Sequence, residues 1–349
     1  MRFLVTGGSG FLGSHFVKTV LQDERNFVVN IDRLDTCSTK KMSDATKNYI
    51  FVRKDINEEG AIAGLILEHD IEMVVAFAAQ SHVDSSFTCS RQHVIDNCLG
   101  MHSVLEAMRE CHPKNGVRLL YISSDEVLGQ NHGDEAKTEE SLMRPSSPYS
   151  ATKGCAELLC GAYVESFKIP IVIVRGNNAY GPFQHPEKVV PRFLRLLLDA
   201  KPLTIQGDGS QRRSFIHAKD FVSAVLCVME KGDYHGHVYN IGSSTEVTIL
   251  ELAQTLSDLM SCPLKIDYIQ DRNYNDSRYL ICAKKLQGLG WEQKIPFLKG
   301  MLETVEWYKS EEAKDYWMEP YQLPISKLVP PPPKKEAQQS SSKRHKFTN

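Results

Sequence analysis

A buried strand that runs into a glycine turn and then a helix leaves a chain few folds to choose from, and this sequence begins with that pattern. Arg2 to Thr6 is an apolar run. Gly7-Gly8-Ser9-Gly10-Phe11-Leu12-Gly13 follows, and then a helical period to about Leu21 carried by Phe16, Val17, Val20 and Leu21. The glycines fit two spacings, Gly8-x-Gly10-x-x-Gly13 and Gly7-x-x-Gly10-x-x-Gly13. In this context they mark a dinucleotide fingerprint. Gly7 and Gly10 permit a tight turn and close approach to a pyrophosphate. Gly13 lets the helix pack on the sheet, and the first helical positions, Phe11 and Leu12, present backbone donors and a favourable dipole.

The next elements continue the alternation. Phe27 to Ile31 is a second strand ending at Asp32, where an acid binds the adenosine ribose hydroxyls and repels a 2′-phosphate. NAD is therefore favoured over NADP, although the adjacent Arg33 pulls the other way. Tyr49 to Val52 is a third strand, with Asp55 and Ile56 beside the adenine at its end. Ile71 to Ala79 is a fourth, leading into Ala78-Ala79-Gln80-Ser81-His82-Val83-Asp84. Ala78, Ala79 and Ser81 let the backbone pass close to the cofactor, and His82 is given a packing role. Val94 to Arg109 is a helix, with Asn97 assigned to the cofactor site. Val117 to Ser123 is a fifth strand, with Ser123 at the same site. This order predicts an α/β Rossmann fold, a doubly wound parallel sheet that binds ligands beyond the strands' carboxyl ends.

After a further strand, Ile169 to Arg175, the character changes to loops, a helix over Val190 to Asp199, a turn at Gly207-Asp208-Gly209 and an amphipathic helix over Ile249 to Met260. We expect an NAD-binding domain over 1–176, with segments of about 211–242 returning to it. A substrate-binding lobe is expected over 177–327, and a disordered tail over 328–349, where PPPPKK and SSSKRHK have no core-forming content. At 349 residues the chain can build such a core. Its net charge of −2 argues against a nucleic-acid or membrane-surface partner. No apolar run approaches the ~20 residues of a membrane span, and MRFLVTGG reads as a strand rather than a signal peptide. Nine cysteines without CxxC pairs or metal-like spacing predict reduced thiols, a cytoplasmic location and no metal.

The chemistry concentrates between Tyr121 and Lys153. The fifth strand ends in Ser123-Ser124-Asp125-Glu126, which places two carboxyls side by side. A Ser-Pro start at Ser147-Pro148 opens a helix to about Phe167, with Tyr149 and Lys153 four apart on one face. A phenol with a reference pKa of ~10 is a weak base. The Lys153 ammonium and a positive nicotinamide are expected to lower that pKa. Tyr149 can then take an alcohol proton, with Ser124 bonded to the same oxygen.

Taken together, the glycine turn, AAQSHVD, SSDEVLG, YSATK, NNAYGPFQHPEKVVP and GDGSQRRSFIHAKD resemble the extended short-chain dehydrogenase/reductases, and among them the nucleoside-diphosphate-glucose 4,6-dehydratases, over roughly Met1 to Trp307. The resemblance implies transient oxidation of a sugar at C4 with Tyr149 as base. Glu126 then removes the C5 proton, Asp125 protonates the departing C6 hydroxyl, and hydride returns to C6. It places Asn178, Lys188, Arg213, Asn240 and Arg272 on the nucleotide and diphosphate. It also implies a homodimer built on the helices near Val94–Arg109 and Tyr149–Phe167. Ser124, Leu128, Met101 and Asn275 replace the family's usual Thr, Tyr, Thr and His. Gln80 looks more like the eukaryotic members, and dTDP and UDP both remain open. A 4-epimerase, a UDP-glucuronate decarboxylase and a non-catalytic NAD- or sugar-nucleotide-binding protein are the competing readings.

Overall fold

The computed structural model describes residues 1–39, 47–317 and 329. The tail expected to be disordered therefore lies outside the described residues, apart from Val329. The strands are β1 (Arg2–Thr6), β2 (Phe27–Ile31), β3 (Tyr49–Val52), β4 (Met73–Ala76), β5 (Arg118–Ser124), β6 (Ile171–Gly176), β7 (Asn178–Tyr180), β8 (Leu203–Gln206), β9 (Arg212–His217), β10 (His235–Ile241), β11 (Glu246–Thr248) and β12 (Ile266–Ile269). Seven of them form one sheet in the order β10-β6-β5-β4-β1-β2-β3, and every pairing in it is parallel.

Helices cover both faces, so the strands must be apolar on both sides, as MVVA in β4 and IVIVRG in β6 are. Alternation divides the core in two. Leu4, Val74, Leu119 and Ile171 pack under the helices Ala61–Glu68, Gly100–Asn115 and Pro148–Phe167. Phe3, Val5, Val75, Leu120 and Val172 pack under Phe11–Val20 and Ala218–Lys231.

The strand order reverses between β1 and β4, and there the loops after the two strands meet. Gly7 has φ +69°, and a Cβ on it would lie 2.6 Å from the Ala78 nitrogen. A Cβ on Gly13 would lie 2.3 Å from the Gly7 oxygen. Only glycine lets strand, turn and helix close this tightly, which opens a crevice at the topological switch point.

The chain re-enters the large sheet with the helix Ala218–Lys231 and β10. The preceding β9 instead pairs in a three-stranded sheet, β11-β9-β7. The second lobe has its own core, in which Phe193, Leu203, Phe215, Leu252, Leu256, Met301 and Val305 meet. The helix expected over Val94–Arg109 starts as a π-helix, Val94–Leu99, and continues as an α-helix over Gly100–Asn115. The fourth strand is shorter than expected, because the chain leaves the sheet after Ala76 to line the crevice.

Candidate active site

The crevice consists of two cavities of about 360 and 210 Å³ that share Gly7, Gly10, Phe77, Ala79 and Ser81. Gly7, Gly10, Phe11, Leu12, Gly13, Ala79, Ser81 and Ser123 line the larger one, and Asp32, Asp55, Ile56 and Ala78 the smaller. The helix Phe11–Val20 opens at the junction, and no side chain caps it. Its first N–H groups lack helical partners, which makes that end an anion site of the kind a pyrophosphate fills. Asp32 accepts from the Ser9 N–H at 3.0 Å and the Leu34 N–H at 2.8 Å. Burial nevertheless raises its pKa. The glycine cradle and this oriented acid fit a dinucleotide.

Arg33 does not supply a free cation. Its guanidinium grips Asp96 through two bonds of 2.8 and 2.7 Å, and also reaches Asp55 at 3.1 Å and Asp35 at 3.0 Å. It serves as a brace between the ends of β2 and β3 and the π-helix. With Asp32, these acids make the ribose pocket hostile to a further phosphate. We expect NADP to bind about 100-fold or more weakly than NAD, a gap of ~3 kcal/mol that titration calorimetry reads directly. Equal affinities would refute this.

Two assigned residues do not reach the crevice. The Asn97 amide holds the backbone of Gln80 from both sides, at 2.8 and 3.0 Å, and also bonds Thr152 at 2.9 Å. It shapes the loop carrying Ala79 and Ser81 instead of touching a ligand. Asn240 is fully buried in β10, where its N–H donates to Glu139 at 2.9 Å and its amide faces the Lys137 carbonyl. Both positions were assigned without the register that decides where a side chain points.

The remaining residues converge on the larger cavity. Ser147 and Ser150 form a reciprocal capping box, and Pro148 opens the helix Pro148–Phe167. This fixes Tyr149 and Lys153 against the end of β5. Ser124, Asp125, Glu126, Tyr149 and Lys153 line one wall, and Asn178, Lys188, Arg213 and Arg272 line the rest. Ser124 ties the centre together. Its hydroxyl lies 3.3 Å from Asp125 Oδ1, accepts from the Glu126 N–H at 3.3 Å and bonds the Tyr149 phenol.

The electrostatics assign different tasks to the two acids. Burial, reinforced by the neighbouring Glu126, pushes Asp125 up to about 7. At neutral pH a large fraction of it therefore holds a proton. Glu126 is also raised by burial, but Arg213, Arg272 and Lys188 oppose the rise. It is only part-buried on the cavity wall, so it is the better placed of the two to be a base. The expectation for Tyr149 needs correcting. Burial and the Glu126 charge raise its pKa above the ordinary phenol value, and only the Ser124 bond works the other way. The Lys153 Nζ donates to the Ile122 carbonyl at 2.7 Å and lies 4.4 Å from the Tyr121 ring centre. Burial lowers Lys153 to about 8. The chain's own groups thus keep the phenol protonated.

Around the cations, Arg213 donates to Asn275 Oδ1 at 3.1 Å and lies over the Tyr279 ring, while Arg272 meets Asp84 at 2.5 Å. Lys188 donates to the Ser81 carbonyl. His82 also lines the cleft, kept neutral by a pKa driven down to about 4 by burial and Lys188. Asn177 and Tyr279 line the cavity too, and neither had been assigned a role. Asn177 could have been found from its place just past a strand's carboxyl end. Tyr279 lies in the lobe and carries no local motif.

Among known proteins, residues 3–242 match the NAD dependent epimerase/dehydratase family. The chain is 38% identical over 319 residues to dTDP-D-glucose 4,6-dehydratase of Bos taurus, covering 88% of each protein. It is 37% identical over 325 residues to a trifunctional UDP-glucose 4,6-dehydratase/UDP-4-keto-6-deoxy-D-glucose 3,5-epimerase/UDP-4-keto-L-rhamnose-reductase of Arabidopsis thaliana, covering 90% of this chain and 48% of that one. The crystal structure of dTDP-glucose 4,6-dehydratase from Bacillus anthracis in complex with NAD superposes with a TM-score of 0.82 at 35% identity, covering 90% of this chain and 98% of that one. The likeness runs along almost the whole chain, and the protein, with its glycine cradle at a sheet's switch point opening onto a tyrosine and paired carboxyls, belongs to the NAD dependent epimerase/dehydratase family.

Proposed function

We propose that this protein removes water from a nucleoside-diphosphate-glucose, dTDP- or UDP-glucose, to give the 4-keto-6-deoxy sugar nucleotide. The observation that carries the reading is the shared cavity. Tyr149, Asp125 and Glu126 face one space, where burial and the neighbouring Glu126 push Asp125 up to about 7 while Arg213, Arg272 and Lys188 oppose the rise at Glu126. An epimerase or a decarboxylase on this scaffold has no use for such a pair.

Gly7, Gly10, Phe11, Leu12, Gly13 and Asp32 would hold NAD, with Asp55, Ile56, Ala78, Ala79, Ser81 and Ser123 along its length. When bound, the nicotinamide supplies a reversible hydride acceptor for the sugar carbon. Lys188, Arg213 and Arg272 neutralise the diphosphate, and Asn178 lies beside the nucleotide. With the positive charge of a bound nicotinamide to favour the phenolate that the chain's own groups disfavour, Tyr149 Oη would take the proton of the C4 hydroxyl, with Ser124 Oγ bonded to the same phenol. The resulting ketone acidifies C5. Glu126 removes that proton, and Asp125 gives its own to the C6 oxygen as water leaves; return of the hydride to C6 and of a solvent-exchanged proton from Glu126 to C5 then completes the 4-keto-6-deoxy sugar. Adjacent acids can hold one proton between them because like charges raise one pKa.

The acid form of Asp125 is lost as pH rises through about 7, so dehydration should slow there, approaching tenfold per pH unit on the alkaline side. Turnover of dTDP-, UDP-, CDP- and GDP-glucose across pH, followed by mass, checks both the activity and this limb. Absence of a dehydrated product from all four would refute the reading, and a rate still rising well above pH 8 would refute the acid assignment.

We also infer a homodimer. Val94 (51% exposed), Leu99 (49%), Leu158 (64%) and Phe167 (47%) stand out on the π-helix and on the helix Pro148–Phe167. Apolar side chains grouped on adjoining helices suit a second copy. Light scattering at micromolar concentration should give twice the chain mass of 39.4 kDa; a monomer contradicts it. All nine cysteines are free, which suits the reducing cytoplasm. Among the described residues no helix is long and apolar enough to cross a membrane.

A further inference from the structure

Three neighbouring parallel strands, β5, β6 and β10, end side by side, and one hydrogen-bonded chain crosses their ends. The backbone N–H of Ser243, just past β10, donates to Asn177 Oδ1 at 2.9 Å. Asn177, just past β6, donates from Nδ2 to Asp125 Oδ2 at 2.6 Å. Asp125, just past β5, has its other oxygen 3.3 Å from Ser124 Oγ. All are buried, with Asn177 at 4% and Asp125 at 3% exposure.

The orientation of the Asn177 amide is not free. A backbone N–H can only donate, so the oxygen of the amide must face Ser243 and its NH₂ must face Asp125. We propose, on the reading that Asp125 is the acid of the dehydration, that Asn177 is a positioning residue for that step: by occupying Oδ2 it makes Oδ1, beside Ser124 and the cavity, the oxygen that carries and delivers the proton. A proton on Oδ2 would confront a donor and leave a buried Asn177 N–H unpaired, an arrangement that costs more than placing it on Oδ1. The same bond favours the carboxylate and so offsets part of the rise that burial and Glu126 impose. The other charged or titratable groups facing Asp125 are Arg213, on β9, and Tyr149, on the helix Pro148–Phe167.

Asn177→Asp tests this, because it keeps an acceptor for Ser243 and the shape of the side chain while replacing the donor with an acid. Two carboxyls 2.6 Å apart share a proton, which raises the upper pKa of the pair. The alkaline limb of dehydration should therefore move up by about one pH unit or more, a ~10-fold change in proton concentration. In deuterated water the ratio of water loss to exchange at C5 should fall about 10-fold or more, since Glu126 is untouched. A purely structural role would lower both rates together and leave the limb in place. Asn177→Ala, which removes the donor without adding charge, should move the limb the same way.

Independently of turnover, a carbon NMR titration of the Asp125 carboxyl, assigned by its loss in Asp125→Asn, should show a higher midpoint in both Asn177 variants. An unmoved midpoint, or an unmoved limb and ratio, overturns the proposal. If the parent protein releases no water yet the midpoint moves, the positioning stands and the functional reading fails.

Discussion

Tyr149→Phe should lower turnover of the sugar nucleotide by ~10²–10⁴-fold while leaving its binding within a few-fold. The Tyr149 phenol faces the cavity and is bonded to Ser124, and phenylalanine keeps the ring while removing the oxygen assigned to the C4 proton. The fold should hardly change, because Ser124 retains its contacts with Asp125 and the Glu126 N–H. Nothing can follow if the first proton stays on the sugar, so no reduced cofactor should build up when substrate is added. Stopped-flow absorbance of the bound nicotinamide, together with equilibrium binding, checks both parts. Near-normal turnover would remove Tyr149 from the chemistry.

Glu126→Gln should fail at a later point, and the difference between the two variants is informative. The amide is isosteric but cannot remove a proton from C5. Oxidation at C4 remains available, so cofactor should become reduced in proportion to enzyme and then stall. Dehydration should fall ~10²–10⁴-fold, and exchange of C5–H with solvent should vanish. Removing the Glu126 charge also removes a cause of the raised pKa of Asp125 and of Tyr149. The pKa values of both should fall, so a small gain in the oxidation rate is consistent with the assignment. Normal water loss in this variant would overturn it. A protein that only binds sugar nucleotides would show neither reduction nor turnover in any form of the chain.

Local features were legible in the sequence because their physics is local. The turn from Gly7 to Gly13, the Ser147-Pro148 helix start and the four-residue spacing of Tyr149 and Lys153 each depend on neighbours a few residues away. The Ser124-Asp125-Glu126 run could be placed because parallel sheets present ligands at the strands' carboxyl ends. Long-range partners were not legible. Asn177 meets Asp125 across 52 residues of sequence, and Arg213 meets Asn275 across 62. Neither pairing leaves a trace in spacing.

The errors have the same origin. Asn97 was placed on the cofactor, but one turn of π-helix aims its amide at the Gln80 backbone. Asn240 was placed on the substrate, but it lies buried in the edge strand β10, paired with Arg175, where Glu139 accepts its backbone N–H. Lys153 was expected to ease the ionisation of Tyr149; the Ile122 carbonyl, on the strand β5 beneath the helix, takes its ammonium instead. The pull of Arg33 towards NADP also could not be weighed from sequence, because Asp35, Asp55 and Asp96, which surround it, are brought there by the fold.

One incubation tests the centre of this account. Unlabelled dTDP-glucose or UDP-glucose is mixed with the protein and NAD in deuterated water, and the product is examined by mass and NMR. The account predicts a 4-keto sugar nucleotide lighter by one water and carrying one solvent deuterium at C5. Starting material that returns unchanged, or as its C4 epimer with no water lost and no deuterium at C5, would contradict it.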